Sequence, residues 1–381
     1  MEKESYRIIM SGGGTGGHIF PAISIADELR NRYPSSQILF VGAEGRMEMT
    51  RVPQCGYQIE GLPIAGIQRS LSPSNLLLPF KLIRSLYMAY KIIRRVRPHI
   101  VIGTGGYASA PVLFAASMMG VPTLIQEQNG FAGLTNKILA RRARKICVAY
   151  DGLEKVFPSS KIVHTGNPIR SSITGTLQPS SEAIKRFDLK ADRKTIVVLG
   201  GSLGAREVNK AIFSIIPHII EHGYQIIWQC GRLYYEQYKD ALEKLYASHS
   251  SMGYDKYIRL YAFVEDMNAL YAASDLIISR AGASTVSELC VIARPCILIP
   301  SPNVAENHQW HNAMALVKVS AARIEEECEN LSSRIMNDID EILSSDDIRQ
   351  NMSAALKTLA RPEATSRIAD EVELILESTQ R

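Results

Sequence analysis

The chain has 381 residues, of which 46% are hydrophobic and 21% charged, a composition typical of globular proteins and a length sufficient for about two domains. No stretch reaches the roughly 18 uncharged apolar residues of a membrane span, and the first residues do not form a signal peptide, so we expect a cytoplasmic protein. The six cysteines lack Cys-x-x-Cys spacing, which argues against a disulfide framework or a zinc cluster.

A glycine-rich loop follows the first predicted strand. Residues 6–10 are predicted as a buried strand and residues from about 21 to 32 as a helix, with Gly12-x-Gly14-x-x-Gly17 between them, as in a Rossmann-like half. A nicotinamide cofactor would need an acidic residue at the end of the next strand, where Val41-Gly42-Ala43 stands, so a dehydrogenase is disfavoured. We expect the glycines to let the backbone approach a polar substrate closely.

His18 is the histidine of this loop. Imidazole changes charge near neutral pH, so His18 is a candidate general base or a ligand of a sugar hydroxyl. A role as a helix cap or packing residue is the alternative.

The net charge of +5 is unevenly distributed. Between Glu60 and Glu127 the chain has no acidic residue and seven basic ones: Arg69, Lys81, Arg84, Lys91, Arg94, Arg95 and Arg97. A long helix is predicted over residues 75–97, with core positions at helical spacing: Ile83, Leu86, Tyr90 and Ile93. Its apolar start, residues 76–80, beside so many cations also suits an anionic membrane surface. Since no aromatic interleaving or known motif accompanies the basic residues, we expect no nucleic-acid partner.

Strands and helices alternate along the chain. Further strands are predicted at residues 37–41, 100–102, 121–125, 195–199, 226–229, 258–260, 276–279 and 296–299. This alternation predicts parallel, doubly wound sheets. A second glycine loop at residues 200–205 repeats the opening of the chain, and the polar residues 166–194 are predicted as the domain linker. We therefore expect two Rossmann-like domains facing a cleft, residues 1–165 and 166–354, with a C-terminal helix over about 355–381 packing back on the first.

Residues 276–288 combine an apolar strand, a glycine turn and a helix that opens on hydroxyl residues. The unpaired N–H groups at such a helix start form a seat for phosphate, and Glu288 could accept hydrogen bonds from a ribose diol. The alternative is a capping box, with Thr285 as the N-cap and Glu288 reaching back to it.

Metal catalysis has little support in the sequence. Asp338-x-Asp340 lies in the pattern of a surface helix, and His308 and His311 have no third ligand at a suitable spacing. A diphosphate leaving group would then be neutralised by helix N-termini, hydroxyls and a cation, for which Arg170 is the candidate; a linker salt bridge is the alternative for Arg170.

Seven segments, in order along nearly the whole chain, resemble the MurG family of glycosyltransferases. They are residues 14–18, 103–107, 127–136, 166–170, 200–205, 280–288 and 307–313. The resemblance implies a GT-B fold and transfer of N-acetylglucosamine from its UDP donor to the undecaprenyl-diphosphate-linked muramyl pentapeptide, lipid I, which forms lipid II. It also implies inversion at the anomeric carbon, no metal or other cofactor, and a peripheral location at the cytoplasmic face of the inner membrane with cell-wall synthesis proteins as partners.

The family pattern also implies the donor contacts. Glu288 would hold the ribose, Val264 the uracil, and Gln309 with His308 the sugar, while the acceptor would lie against the first glycine loops. The implied donor set is Thr15, Gly16, Gly17, Asn129, Arg170, Ser202, Val264, Ala283, Ser284, Thr285, Val286, Ser287, Glu288 and Gln309.

Two other classes of function fit the same residues. Another GT-B enzyme, such as a glycolipid synthase or a UDP-sugar epimerase, would share the donor site and differ in the acceptor. A catalytically idle nucleotide-sugar-binding or scaffold protein at the membrane would bind the donor without consuming it.

Overall fold

The computed structural model describes residues 5–64, 78–175, 177–249, 253–304 and 307–380. They form two compact units: unit 1 comprises Met1–Arg170 with Arg361–Arg381, and unit 2 comprises Ser171–Ala360. No helix within the described ranges is long and apolar enough to cross a membrane.

Unit 1 contains a seven-stranded sheet in which every neighbouring pair is parallel. Its strands are β1 (Arg7–Gly12), β2 (Gln37–Ala43), β3 (Gln58–Leu62), β4 (Ile100–Gly105), β5 (Thr123–Glu127), β6 (Lys145–Val148) and β7 (Ile162–His164). Their order is β3-β2-β1-β4-β5-β6-β7, so the direction of winding reverses between β1 and β4. Open α/β sheets bind ligands beyond the carboxyl ends of the strands at such a switch point.

Helices cover both faces of this sheet. They are α1 (Gly16–Arg32), α2 (Glu48–Gln54), α3 (Leu78–Val96), α4 (Ser109–Met118) and α5 (Leu134–Leu139). Alternate residues of a strand point to opposite faces. Accordingly, Ile8 and Met10 of β1 pack in one cluster with residues of α1, whereas Ile9 packs in a second cluster with residues of α3 and α4.

Unit 2 repeats the plan with six parallel strands. They are β8 (Thr195–Leu199), β9 (Gln225–Gln229), β10 (Ile258–Tyr261), β11 (Leu276–Ser279), β12 (Cys296–Leu298) and β13 (Arg323–Ile324). The order β10-β9-β8-β11-β12-β13 reverses between β8 and β11. The helices are α6 (Ser171–Thr174), α7 (Ser180–Arg186), α8 (Arg206–Glu221), α9 (Tyr235–Ser248), α10 (Met267–Ala273), α11 (Ala283–Ile292), α12 (His308–Val317), α13 (Leu331–Ser344) and α14 (Asp346–Leu359). The prediction of two Rossmann-like parallel-sheet domains is confirmed.

The last helix, α15 (Ala364–Gln380), packs on unit 1. Ile368, Val372 and Ile375 are buried in the same cluster as α1. Arg32 at the end of α1 bonds the carboxylates of Asp370 and Glu373, at 2.7 and 3.0 Å.

Several local expectations are corrected by the structure. Helix α1 begins at Gly16, not near Pro21, because the last glycines of the loop already adopt helical conformation and Pro21 is accommodated inside the helix. The predicted linker over residues 166–194 is partly folded, since it contains α6 and α7 with Ile173 and Ile184 buried. The sequence interpretation missed four short strands: β3, β6, β7 and β13.

The outward face of α3 differs most from expectation. Ile83 is 65% exposed and Tyr90 is also exposed, so these two are not core residues, whereas Ile93 is buried. Phe80, Leu82 and Tyr87 of the same helix are exposed as well. Residues 69 and 75–77, part of the predicted basic and apolar element, lie outside the described residues.

Asp338 of α13 makes the stability of unit 2 sensitive to pH. Burial, with the nearby Glu325 carboxylate, raises the pKa of Asp338 from 3.8 to about 6. The charged form of Asp338 is thus disfavoured in the folded chain. It lowers the free energy of unfolding by on the order of 1 kcal/mol after discounting for partial exposure. This loss of stability is present above pH 6 and absent below pH 3.8, the pKa of the unfolded chain. We expect Asp338→Asn to raise the melting temperature at pH 8 by about 2–4 °C and to change it little at pH 4.

Thermal unfolding followed by circular dichroism at both pH values checks this expectation. The exposed Asp192, replaced by asparagine, is the matched control. An equal shift at pH 4 and pH 8, or a lower melting temperature at pH 8, would contradict the assigned cost.

Candidate functional site

The predicted site residues all follow carboxyl ends of parallel strands. In unit 1, residues 15–18 follow β1, Asn129 follows β5 and Arg170 follows β7. In unit 2, four sets lie at the corresponding edge: Ser202 after β8, Val264 after β10, residues 283–288 after β11 and Gln309 after β12. The glycine loops at residues 12–17 and 200–204 each begin beside the switch point of their sheet.

His18 lies in the first turn of α1 with its ring against the glycine loop. Its Nδ1 is 3.1 Å from the carbonyl oxygen of Gly13 and 3.3 Å from Oγ1 of Thr15. The ring also packs over Gly105, where an added Cβ would approach it to 2.9 Å. Donation from Nδ1 to the Gly13 carbonyl makes Nε2 the basic nitrogen of the neutral ring.

Glu48, which the sequence interpretation missed, organises this loop. Its carboxylate is fully buried and accepts hydrogen bonds from the backbone N–H groups of Gly14, at 3.1 and 3.2 Å, and Ala43, at 3.0 Å. An added Cβ on Gly13 would lie 2.1 Å from its Oε1. The space left by Gly13 is therefore filled by the chain's own carboxylate and not by substrate, which corrects the expected reason for that glycine.

The loop after β4 packs directly on the first glycine loop. Gly106 has a φ of +83°, and a Cβ there would lie 2.2 Å from the carbonyl oxygen of Gly13. The hydroxyl of Thr104 donates to the carbonyl of His18 at 2.7 Å. The end of β4 and the loop that follows it thus hold the backbone around His18 in one conformation.

A second buried carboxylate, Glu127, holds the loop that carries Asn129. Its oxygens accept from the backbone N–H of Asn129 at 3.1 Å, the N–H of Gly133 at 2.9 Å and the side-chain amide of Asn136 at 2.8 Å. Arg170 is placed differently: its guanidinium lies over the ring of Phe20, 4.3 Å from the centroid, close to the first turn of α1.

In unit 2, the side-chain amide of Gln229 joins two predicted site segments. Its oxygen accepts from the backbone N–H of Val264 at 2.8 Å, and its nitrogen donates to the carbonyl of Gly201 at 3.3 Å. Gln229 ends strand β9, next to β8 in the sheet. Its position at the end of a predicted strand is the one feature of the sequence that could have pointed to this residue.

The start of α11 is not a capping box. The N-cap is Gly282, which has no side chain, and Thr285 lies inside the helix. The N–H groups of the first turn are therefore not capped by a side chain of the N-cap residue. Oγ of Ser284 is buried, and the described residues supply it with no hydrogen-bond partner. Uncapped N–H groups and a buried hydroxyl at a helix N-terminus suit a phosphate group.

Glu288 points inward from α11 and is buried. Its Oε2 accepts a hydrogen bond of 2.7 Å from the hydroxyl of Tyr271, a fully buried residue of α10. This contact replaces the bond to the helix cap that the alternative interpretation required, and it fixes the orientation of the carboxylate.

Gln309 lies in the first turn of α12 beside the loop after β12. Its side-chain oxygen accepts from the N–H of Ser301 at 2.8 Å. From the next turn of α12, Asn312 donates to the carbonyl of Ala281 at 3.1 Å, which joins this helix to the start of α11. The structure therefore places the unit 2 residues of the predicted set at the carboxyl ends of β8, β10, β11 and β12, and the unit 1 residues at the carboxyl ends of β1, β5 and β7.

Family models match most of the chain. The glycosyltransferase family 28 N-terminal domain matches residues 8–148, and the family 28 C-terminal domain matches residues 195–368. Curated relatives match along its whole length. Proteins from Flavobacterium psychrophilum and Christiangramia forsetii are 47% and 49% identical, over 98% of this chain and 99% of theirs. Both are named UDP-N-acetylglucosamine–N-acetylmuramyl-(pentapeptide) pyrophosphoryl-undecaprenol N-acetylglucosamine transferase.

Solved structures agree with the fold. The crystal structure of Acinetobacter baumannii MurG has a TM-score of 0.73 at 26% identity, covering 97% of this chain and 99% of that one. A putative UDP-N-acetylglucosamine 2-epimerase from Listeria monocytogenes has a TM-score of 0.68 at 10% identity, covering 98% of both chains, and shows the same fold alone. The resemblance to the MurG family and the GT-B fold are confirmed. The chain belongs to glycosyltransferase family 28.

Proposed function

We propose that this enzyme transfers N-acetylglucosamine from UDP-N-acetylglucosamine to lipid I, forming lipid II for peptidoglycan synthesis, with inversion and without a metal ion. The observation that carries the proposal is the full-length match to curated relatives whose names state this donor and acceptor. Unit 2 supplies most of the donor contacts in this proposal, and unit 1 binds the acceptor.

The donor diphosphate is assigned to the start of α11. Its uncapped N–H groups and the buried hydroxyl of Ser284 offer hydrogen bonds to phosphate oxygens, and the helix dipole favours their negative charge. Glu288, oriented by Tyr271, accepts from the ribose hydroxyls. The remaining donor contacts of the family pattern, with Val264 and Gln309 among them, stay predictions.

The chemical step needs a base and a stabilised leaving group. His18 Nε2 takes the proton from the acceptor hydroxyl, whose oxygen attacks the anomeric carbon opposite the departing UDP, and the configuration inverts. Amide dipoles at the start of α11 stabilise the developing charge on the diphosphate. Glu48 and Thr104 keep the loop around His18 in place.

A purified assay with UDP-N-acetylglucosamine and lipid I tests the proposal. We expect lipid II with the inverted anomeric configuration, and equal turnover with EDTA or added Mg²⁺. Turnover that vanishes in EDTA and returns with Mg²⁺ or Mn²⁺ would refute the metal-free step. An epimerase would convert the donor without lipid I, and an idle binding protein would not consume it.

Glu288→Gln is expected to weaken UDP binding. The amide keeps an acceptor for Tyr271 but lacks the charge that strengthens hydrogen bonds to the ribose. A charged hydrogen bond contributes about 1.5–3 kcal/mol, so the Kd for UDP should rise at least about tenfold. Isothermal titration calorimetry with UDP measures this. An unchanged Kd for UDP would show that Glu288 does not bind the ribose. The melting temperature of the variant is the control, since an unchanged value shows that the fold is intact.

We also propose that α3 holds the enzyme on an anionic membrane surface. Phe80, Ile83 and Tyr87 are exposed apolar side chains, and Arg84 and Lys91 are exposed cations on the same helix. Such a combination inserts apolar groups at the headgroup level while the cations meet anionic lipid. This location places the enzyme beside its lipid-linked acceptor, with cell-wall synthesis proteins as proposed partners.

Ile83→Glu should reduce binding to vesicles that contain anionic phospholipid. Burial of an isoleucine side chain in the membrane contributes about 1.5–3 kcal/mol to binding. The affinity for vesicles, measured by cosedimentation, should therefore fall at least about tenfold. Leu374→Glu on α15 is the matched control, because Leu374 is 55% exposed in the same unit, against 65% for Ile83. Equal loss in both variants would remove α3 from the membrane contact.

A further inference from the structure

Two histidines and an aspartate meet on the outer face of unit 2. His218 lies in the last turn of α8, and His222 is the C-cap residue of the same helix, four positions on. Their rings are nearly stacked, with centroids 3.8 Å apart and planes inclined by 30°. Nε2 of His218 lies 2.9 and 3.0 Å from the carboxylate oxygens of Asp340 on α13.

The three side chains present their donor atoms together. One ligand atom from each lies within 4.8 Å of the other two, and this is the one such trio of histidine, cysteine or acidic residues within the described ranges. His222 is exposed, and the side chains of His218 and Asp340 are 21% and 39% exposed, so an ion can reach them from solvent. The helix C-terminus adds negative potential that favours a cation.

An ordinary ion pair accounts for only part of this arrangement. It explains why His218 contacts Asp340, but it does not explain why the ring of His222 lies beside them. The ring of His222 is oriented by a contact of 2.9 Å between its Nδ1 and the carbonyl of His218. Metal-binding histidines commonly have one ring nitrogen held by a backbone carbonyl in this way.

We propose that His218, His222 and Asp340 bind a divalent transition-metal ion of the Zn²⁺ class, which links α8 to α13. Two imidazoles and a carboxylate suit Zn²⁺, Co²⁺ or Ni²⁺, whereas Mg²⁺ and Ca²⁺ require oxygen ligands. The ion takes the place of the proton between His218 and Asp340, and that proton passes to solvent.

The position of this site separates it from the proposed transfer reaction. Helix α8 starts at the carboxyl edge of the sheet, after the loop of residues 200–204, and its other end returns to the opposite edge. His218 and His222 are at that other end. The metal site therefore stabilises unit 2 and takes no part in transfer, so that it is compatible with a metal-independent reaction.

The test is calorimetric titration of the untagged, metal-free protein with Zn²⁺ at pH 7.5, with Mg²⁺ as a second probe. The exposed thiols of Cys55 and Cys328 are first changed to serine, since thiolates also bind zinc. We compare His222→Gln and Asp340→Asn with His249→Gln. His249 is likewise the C-cap residue of a helix, α9, with Nδ1 near the carbonyl four residues earlier, and belongs to no such trio.

We expect one Zn²⁺ per chain, no saturable Mg²⁺ binding, and a higher melting temperature with Zn²⁺. His222→Gln and Asp340→Asn should each weaken Zn²⁺ binding at least about tenfold, and His249→Gln should not. Absence of saturable Zn²⁺ binding, or equal binding by His222→Gln, would overturn the proposal. Transfer activity is measured on the same variants. Retained transfer with loss of zinc binding supports the separation of the two sites, and loss of transfer at an unchanged melting temperature would overturn the statement that the metal takes no part in transfer.

Discussion

His18→Gln should lower kcat for transfer by a factor of about 10²–10⁴, the range for loss of a general base. The amide can still donate to the Gly13 carbonyl, as Nδ1 of the imidazole does at 3.1 Å, so the loop conformation should be retained. What glutamine lacks is a basic nitrogen at the position of Nε2. UDP affinity should not change, because the proposed diphosphate seat at the start of α11 belongs to unit 2.

Steady-state kinetics with lipid I, together with UDP calorimetry, separate the possible roles of His18. His18→Ala is the second variant, since it removes both the base and the contact with the loop. Near-normal turnover in His18→Gln but not in His18→Ala would show that the residue positions the loop and is not the base. Near-normal turnover in both would remove His18 from the reaction.

Glu48→Gln should destabilise unit 1 and reduce transfer as well. The carboxylate accepts from two backbone N–H groups in a fully buried setting, and an amide turns an N–H group toward at least one of these donors. Loss of charged hydrogen bonds of this kind costs about 2–4 kcal/mol in free energy of unfolding. The loop that carries His18 would lose its support, so kcat should fall together with the stability.

Glu44→Gln is the matched control, because Glu44 is exposed and lies just before Glu48, in the loop that joins β2 to α2. Urea unfolding monitored by circular dichroism, with kinetics on the same preparations, gives both readouts. If Glu48→Gln behaved like Glu44→Gln in stability and turnover, Glu48 would not be the support of the glycine loop.

The glycine loops show how far local sequence carries a site prediction. An apolar strand, a glycine turn and a helix are encoded in neighbouring residues, and the carboxyl ends of parallel strands share one edge of the sheet. The prediction that these loops lie together at the ligand-binding edge therefore required no contact information, and the structure confirms the strand and loop positions in both units. The reason predicted for Gly13, close approach of a substrate, was wrong. The side chain of Glu48, distant in the chain, fills the space that a Cβ on Gly13 would take.

The sequence by itself determined the fold class, the two repeated halves, the positions of the loops and the family. Each of these depends on periodicity and turn residues, which are local properties. Tertiary structure alone decided which side chains meet: Tyr271 with Glu288, Gln229 with Val264, and His218 with Asp340. It also decided that one apolar face of α3 stays exposed, because helical periodicity identifies an apolar face but not whether another element covers it.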